Sequence, residues 1–173
     1  DTLVRFSVSP PADVVRPTAL VVDDDPDMAA FVAEIARDAG CEVLATSDPV
    51  EALARVRPGV FDLVVTDVRM SALDGIDLIA SVRKKDPDVI LLAMTAFGSI
   101  PTAVRAMRAG AHDYLSKPFS PEEMTLRIER AVADRRVRKE LSSLRAQVGD
   151  RFSVRAIVGK SLATRRLGDL VGR

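Results

Sequence analysis

Ala19-Leu20-Val21-Val22-Asp23-Asp24-Asp25-Pro26 is a short apolar run that ends abruptly in three acids and a proline. Four apolar residues followed by Asp-Asp-Asp-Pro read as a buried strand whose carboxyl end opens into a loop and then a helix. The same pattern returns along the chain. Phe61-Asp62-Leu63-Val64-Val65-Thr66 ends in Asp67, Val89-Ile90-Leu91-Leu92-Ala93-Met94 ends in Thr95, and Tyr114-Leu115-Ser116 ends in Lys117-Pro118. In an open parallel sheet all strand ends lie along one edge, so an acid pair, a lone acid, a hydroxyl and an amine would meet in one crevice.

Between Ala19 and Ala133 apolar runs alternate with segments of helical period five times. That alternation predicts an α/β fold, a doubly wound parallel sheet covered by helices on both faces. Strands are expected over about 19–23, 42–46, 61–66, 89–94 and 112–116, and helices from Pro26 or Asp27 to Ala39 and over about 48–57, 75–85, 99–109 and 120–148. Pro26 suits an early helical position, and Phe31, Ile35 and Ala39 share a stripe. Gly40 can supply a left-handed stop, with Gly59, Gly75 and Gly110 as further punctuation. Ser120-Pro121-Glu122-Glu123 has the layout of a capped helix start. This last helix is too long merely to cover a sheet. Met124, Ile128 and Val132 can pack inward, after which Val137, Leu141, Leu144 and Val148 recur at spacings of 4, 3 and 4. Those four form a short coiled-coil seam, read as a dimer contact.

The 173 residues allow one domain with extensions. No run approaches a membrane span. The formal charge is zero, yet residues 1–126 hold 12 Lys/Arg against 20 Asp/Glu and residues 127–173 hold 13 against 5. The basic tail reads as a solvated helix face, because no aromatic interleaving accompanies it. One cysteine, Cys41, excludes an internal disulfide and fits a small core position, and a reducing, cytoplasmic setting is expected. Residues 1–17 contain three prolines and no signal-peptide layout and are expected to be a flexible leader. His112 and the methionines Met70, Met94 and Met107 read as packing residues.

If Asp23, Asp24 and Asp67 converge, like charges about 4 Å apart repel by roughly 4 kcal/mol at an effective dielectric near 20. A hard cation with oxygen ligands and part of its water shell, Mg²⁺, is the expected counter-charge, with Lys117 opposite. Such a site favours phosphoryl transfer over acid–base hydrolysis. Asp67, alone at the end of its strand, is the best nucleophile candidate, Thr95 offers a hydroxyl and Ala96 a backbone N–H.

The ordered series Val22-Asp23-Asp24, Asp67-Val68-Arg69-Met70 with Asp74-Gly75, Thr95-Ala96 and Tyr114-Leu115-Ser116-Lys117-Pro118-Phe119 resembles the receiver domain of two-component response regulators, over residues 18–133. The resemblance implies a flavodoxin-like five-stranded sheet of order 2-1-3-4-5. It also implies Asp67 as phosphoacceptor for a sensor histidine kinase, at most slow self-phosphorylation and self-dephosphorylation, and no classical enzymatic turnover. Mg²⁺ would be held by Asp24, Asp67 and the backbone carbonyl of Arg69, with Asp23 acting through water. Lys117, Thr95 and the backbone of Val68 and Ala96 would contact the phosphoryl group, and Thr95 and Tyr114 would form a switch pair. That pair would alter the face made by the fourth helix, fifth strand and fifth helix, through which, with the linker helix, a homodimer would form. Two departures stand out: the family usually has Pro at Ser71, which predicts a less rigid loop, and bulky Arg69 and Phe97 flank the path of an attacking water.

Gly98-Ser99-Ile100-Pro101-Thr102-Ala103-Val104-Arg105-Ala106-Met107-Arg108-Ala109-Gly110-Ala111 resembles the NtrC-like activators of sigma-54 RNA polymerase. Ile157-Val158-Gly159-Lys160-Ser161 with Arg165-Arg166-Leu167 and Leu170-Val171 looks like the opening of their AAA+ module. Val154 stands where a phosphate loop would need Gly, so these residues do not bind ATP. Residues 134–150 are then expected to be a helical dimerisation linker and 151–173 the start of a truncated AAA+ module, with polymerase and DNA reached only through domains beyond it. Two other classes compete. A Mg²⁺-dependent phosphatase or dehalogenase with an aspartyl nucleophile would use an Asp-x-Asp-x-Thr/Val series, but Asp23-Asp24-Asp25-Pro26-Asp27 has Asp at its end. A docking or dimerisation module indifferent to phosphorylation would use only the helix seam. A dinucleotide site is excluded by the acids where a glycine-rich turn should be.

Overall fold

The computed structural model describes residues 16–96 and 100–151. Ten elements alternate: β1 (Thr18–Val22), α1 (Pro26–Asp38), β2 (Glu42–Thr46), α2 (Pro49–Arg55), β3 (Leu63–Asp67), α3 (Gly75–Lys85), β4 (Ile90–Thr95), α4 (Ile100–Ala109), β5 (Asp113–Ser116) and α5 (Pro121–Arg151). The five strands form one parallel sheet in the order β2-β1-β3-β4-β5. The strand order therefore reverses beside β1, and the crevice there lies next to β3.

Successive side chains of a strand point to opposite faces, and both faces here are covered. Ala19, Val21, Leu63, Val65 and Leu92 pack with Val32, Ala33 and Ala36 of α1 and Met124 and Ile128 of α5. Leu20, Val22, Val64, Leu91 and Ala93 face Leu78, Ile79 and Val82 of α3 and Ala52 and Ala106 of α2 and α4. This double coverage is why the strands read as unbroken apolar runs.

Local chemistry sets the helix ends. The Asp25 side chain caps α1 by accepting from Asp27 and Met28, Pro26 follows it, and Gly40 takes a left-handed φ of 88° after the last turn. Asp48 and Pro49 repeat the arrangement in α2. The Ser120 hydroxyl accepts from Glu123 N at 3.1 Å, as the sequence pattern predicts. In α1 the expected stripe is only partly right. Ile35 is buried, but Phe31 is 40% exposed, because the buried face centres on Val32, Ala33 and Ala36. Phe31 lies at the rim and stacks on Phe119, with ring centroids 6.5 Å apart.

Cys41 is buried, and burial pushes its thiol up. His112 is half-buried, with Nδ1 3.0 Å from the amide of Leu91 and 3.0 Å from a guanidinium nitrogen of Arg83. The described residues divide into two units between Arg135 and Arg136. In the first, α5 contributes Met124, Ile128 and Ala131 to the core, with Val132 half-buried. In the second, Val137, Leu141 and Leu144 are exposed. The side chain of Val148, residues 1–15, Phe97, Gly98, Ser99 and residues 152–173 lie outside the described residues.

An ion pair not anticipated from the sequence sits at the other end of the sheet. Asp62 and Arg135 are both buried, with Arg135 Nε 3.4 Å from Asp62 Oδ1, and Asp62 Oδ2 accepts from the Thr18 amide at 3.0 Å. The pair joins α5 to the starts of β1 and β3. Removing one partner of a buried pair leaves an uncompensated charge. Asp62→Ala should lower unfolding stability by about 3–5 kcal/mol, measured by chemical denaturation, whereas Glu51→Ala, which breaks an exposed pair with Arg55, should leave it nearly unchanged.

Candidate functional site

Register brings the predicted residues together. Val22 pairs with Thr66, so Asp23 and Asp67 follow side by side, and Asp67 pairs with Met94, so Thr95 lies one residue further on the adjoining strand. Thr95 in turn pairs with Ser116, next to Lys117. The ladder continues past the strand ends: Val68 N donates to Met94 O at 2.8 Å and Lys117 N to Thr95 O at 2.7 Å. These bonds fix the backbone on which the site is built.

Lys117 Nζ lies 2.6 Å from Asp23 Oδ2 and 3.0 Å from Asp67 Oδ1. Each acid is also held by a backbone amide: Asp23 Oδ1 accepts from Asp25 at 3.1 Å, Asp67 Oδ2 from Arg69 at 3.0 Å and Asp24 Oδ2 from Ser71 at 2.9 Å. Asp23 and Asp67 are buried, and Asp24 is exposed. Gly75 closes the floor. Its amide donates to Val68 O at 2.9 Å, and a Cβ there would stand 1.9 Å from the Asp67 carbonyl, so only glycine fits. Asp74 beside it caps α3.

The charges do not balance among these side chains. Three carboxylates offer one oxygen each within 4.8 Å of one another, against a single ammonium. Burial, the largest influence on Asp23, pushes its carboxyl above the ordinary value despite the opposing hydrogen bonds from Lys117 and the Asp25 amide. Burial alone would lower Lys117, but its hydrogen bond to Asp23 and the negative charges of Asp23 and Asp67 outweigh it and hold the ammonium above its usual range. Asp67 Oδ1 is buried and has only the ion-pair contact, with no well-directed hydrogen bond. An under-satisfied buried oxygen, two neighbouring carboxylates and one open side fit a hard divalent cation that keeps part of its water.

Other expected residues fall as follows. Thr95 is buried at the end of β4, and Ala96 is exposed just beyond it. The Val68 amide, expected to meet a phosphoryl oxygen, is committed to Met94 O because the ladder runs one residue past the strand. The Arg69 amide is the one turned to Asp67. Tyr114 is half-buried and, with Ile100, Ala103, Val104, Met107 and Arg108, lines an open apolar groove of about 470 Å³. Asp25, third in the acidic run, is consumed in capping α1, and Asp27 is exposed in the first turn. Neither is placed to serve as the second acid of a phosphatase series. Ser71 does not leave its loop untethered, since its N–H makes a bond that Pro could not.

An acidic cluster and a facing lysine at the carboxyl edge of a 2-1-3-4-5 parallel sheet define a receiver-type α/β domain. The response regulator receiver domain model matches residues 19–129, and the chain belongs to that family. It is 42% identical over 117 residues to the transcriptional regulatory protein ZraR of Salmonella typhimurium, covering 68% of this chain and 26% of the relative. It is 34% identical over 158 residues to the C4-dicarboxylate transport transcriptional regulatory protein DctD of Pseudomonas aeruginosa, covering 88% and 33%. Among solved structures, NtrX from Brucella abortus in complex with ADP is similar at a TM-score of 0.68 and 33% identity, covering 91% of this chain and 34% of that one. The chain thus spans about a quarter to a third of the length of these relatives.

Asp23 gives a test of the charge imbalance. Its folded-state carboxyl is raised, so ionisation works against the fold, and that contribution to stability is lost as pH rises above 3.8 through the higher folded value. Asp23→Asn should raise the unfolding midpoint in EDTA at neutral pH by about 2–5 °C and flatten its pH dependence. Added Mg²⁺ should stabilise the wild type more than the variant, as read by differential scanning calorimetry.

Proposed function

We propose that this receiver takes a phosphoryl group onto Asp67 from the phosphohistidine of a sensor histidine kinase. The observation that supports it most is the state of Asp67 Oδ1, buried at the end of the central strand, facing Lys117 and lacking a well-directed hydrogen bond. In the transfer a carboxylate oxygen forms a bond to phosphorus as the P–N bond to the donor breaks, and the electron pair leaves on the imidazole. Asp24, Asp67 and the Arg69 carbonyl would hold Mg²⁺, with Asp23 acting through water; when bound, the ion disperses charge on the phosphoryl oxygens. Lys117, the Thr95 hydroxyl and the amides of Arg69 and Ala96 do the rest by position.

Phosphorylation is then a local charge change that biases a two-state element. Thr95 and Tyr114 lie on adjacent strands, and Tyr114 lines the α4 groove, where Ile100 is 79% exposed. Drawing Thr95 toward the new phosphate and Tyr114 inward reshapes that face. The output is homodimerisation through α4, β5 and α5, extended by Val137, Leu141, Leu144 and Val148 in a linker of residues 134–150. In this reading residues 18–133 are the receiver and 151–173 the start of a sigma-54-activating AAA+ module; the relatives named transcriptional regulatory proteins support a transcriptional output. Among the described residues no helix is long and apolar enough to cross a membrane. The proposed setting is the cytoplasm, with polymerase and DNA engaged by further domains.

Acetyl phosphate or beryllofluoride with Mg²⁺ should modify the chain and raise its solution mass, and Asp67→Asn should abolish both changes. Modification without a mass change would discard the dimer output and keep the phosphoacceptor. No modification of the wild type would leave the docking-module reading in the lead. Exposed Arg69, two residues after Asp67, and bulky Phe97, two after Thr95 in sequence, should make self-dephosphorylation slow. Loss of radiolabel within seconds would contradict that role.

A further inference from the structure

The three acids of the site are oriented by different means. Asp23 and Asp67 each accept from the amide two residues ahead, Asp25 and Arg69. These are local turns that any residue with an N–H completes. Asp24 accepts instead from Ser71 N at 2.9 Å, across 47 positions of sequence, and it is the exposed member of the three. The bond joins the loop after β1 to the loop after β3. It depends on residue 71 having a backbone N–H, which proline lacks.

We propose that Ser71 is a positioning residue for divalent-cation binding, its amide presetting the Asp24 carboxylate toward the site. This rests on the Mg²⁺ reading above and deepens it. A carboxylate has about four lone-pair directions, so a bond to Oδ2 leaves room for a metal. Mg²⁺ tolerates little distortion and takes few protein oxygens. An exposed aspartate without the bond samples several rotamers, and the ion must order it on binding. With the bond in place that ordering is already done, and the loop carrying the Arg69 carbonyl is tied to the same carboxylate. The side chain of residue 71 is incidental; the amide acts.

Mg²⁺ titration by calorimetry on the whole chain separates these roles. Ser71→Ala, which keeps the N–H, should bind as the wild type does, and Ser71→Pro should bind about three- to tenfold more weakly, with its EDTA unfolding midpoint retained. In metal-free wild type the Ser71 amide should be protected from hydrogen exchange and should lose protection in Asp24→Ala, a readout that stands whether or not the proline variant folds. Equal or tighter binding by Ser71→Pro, weakening by Ser71→Ala, or a Ser71 amide indifferent to Asp24→Ala would each overturn the proposal. If wild type binds Mg²⁺, Asp24→Asn does not, and Ser71→Pro matches wild type, the positioning role falls and the metal site stands. Absence of Mg²⁺ binding by wild type would overturn both.

Discussion

Confinement of three carboxylates beside one ammonium is the constraint from which the rest of this domain can be understood. Charges of one sign do not gather unless the backbone forces them to, and here the force is the hydrogen-bonded register of β1, β3, β4 and β5. β1, β3 and β4 are buried almost throughout, so a slip would exchange the side chains fitted against the helices on each face. The core thus holds the acids together against their repulsion. Lys117 relieves part of that repulsion and is itself held above its usual range by the two acids, while burial pushes the Asp23 carboxyl up. Gly75 belongs to the same constraint: the chain doubles back against the Asp67 carbonyl so closely that a methyl group has no space.

Much of this was legible because the signals are local. Apolar runs marked the strands, Gly40 and Pro26 marked the ends of α1, and polar residues at strand ends marked the crevice. The β-strand limits moved by one or two residues, as with β3, which begins at Leu63. Phe31 was misjudged since helical period gives a face without its centre. The centre of α1 lies on small residues, Ala33 and Ala36, which let the helix approach the sheet and leave the larger ring at the rim.

What escaped the sequence were contacts between distant backbone and side-chain atoms. Composition alone gives no sign that Arg135 in a basic helix is buried while its neighbour Arg136 is exposed; the Asp62 carboxylate selects it. The Val68 amide was hidden for the same reason, because only the register shows that Met94 O claims it. At Ser71 the sequence showed a missing ring, and loss of rigidity was the natural expectation. The three-dimensional arrangement adds a contact that proline could not make: the N–H of Ser71 donates to Asp24.

The two ends of the sheet therefore have different physical characters. At the carboxyl edge, charge is concentrated and incompletely neutralised, so a change of ligand or covalent state there has large electrostatic leverage. At the amino edge, Asp62 and Arg135 form a buried, closed pair that holds the first part of α5 to β1 and β3. Between them run β4 and β5, carrying Thr95 and Tyr114 from the charged edge toward the apolar groove beside α4. An element able to shift between states needs weakly held parts next to firmly held ones. Tyr114 is half-buried and Ile100 exposed, whereas the Asp62–Arg135 anchor of α5 is buried. Under the proposed function, a charge change at Asp67 would be resolved by repacking at α4 and β5 while the sheet itself stays in register.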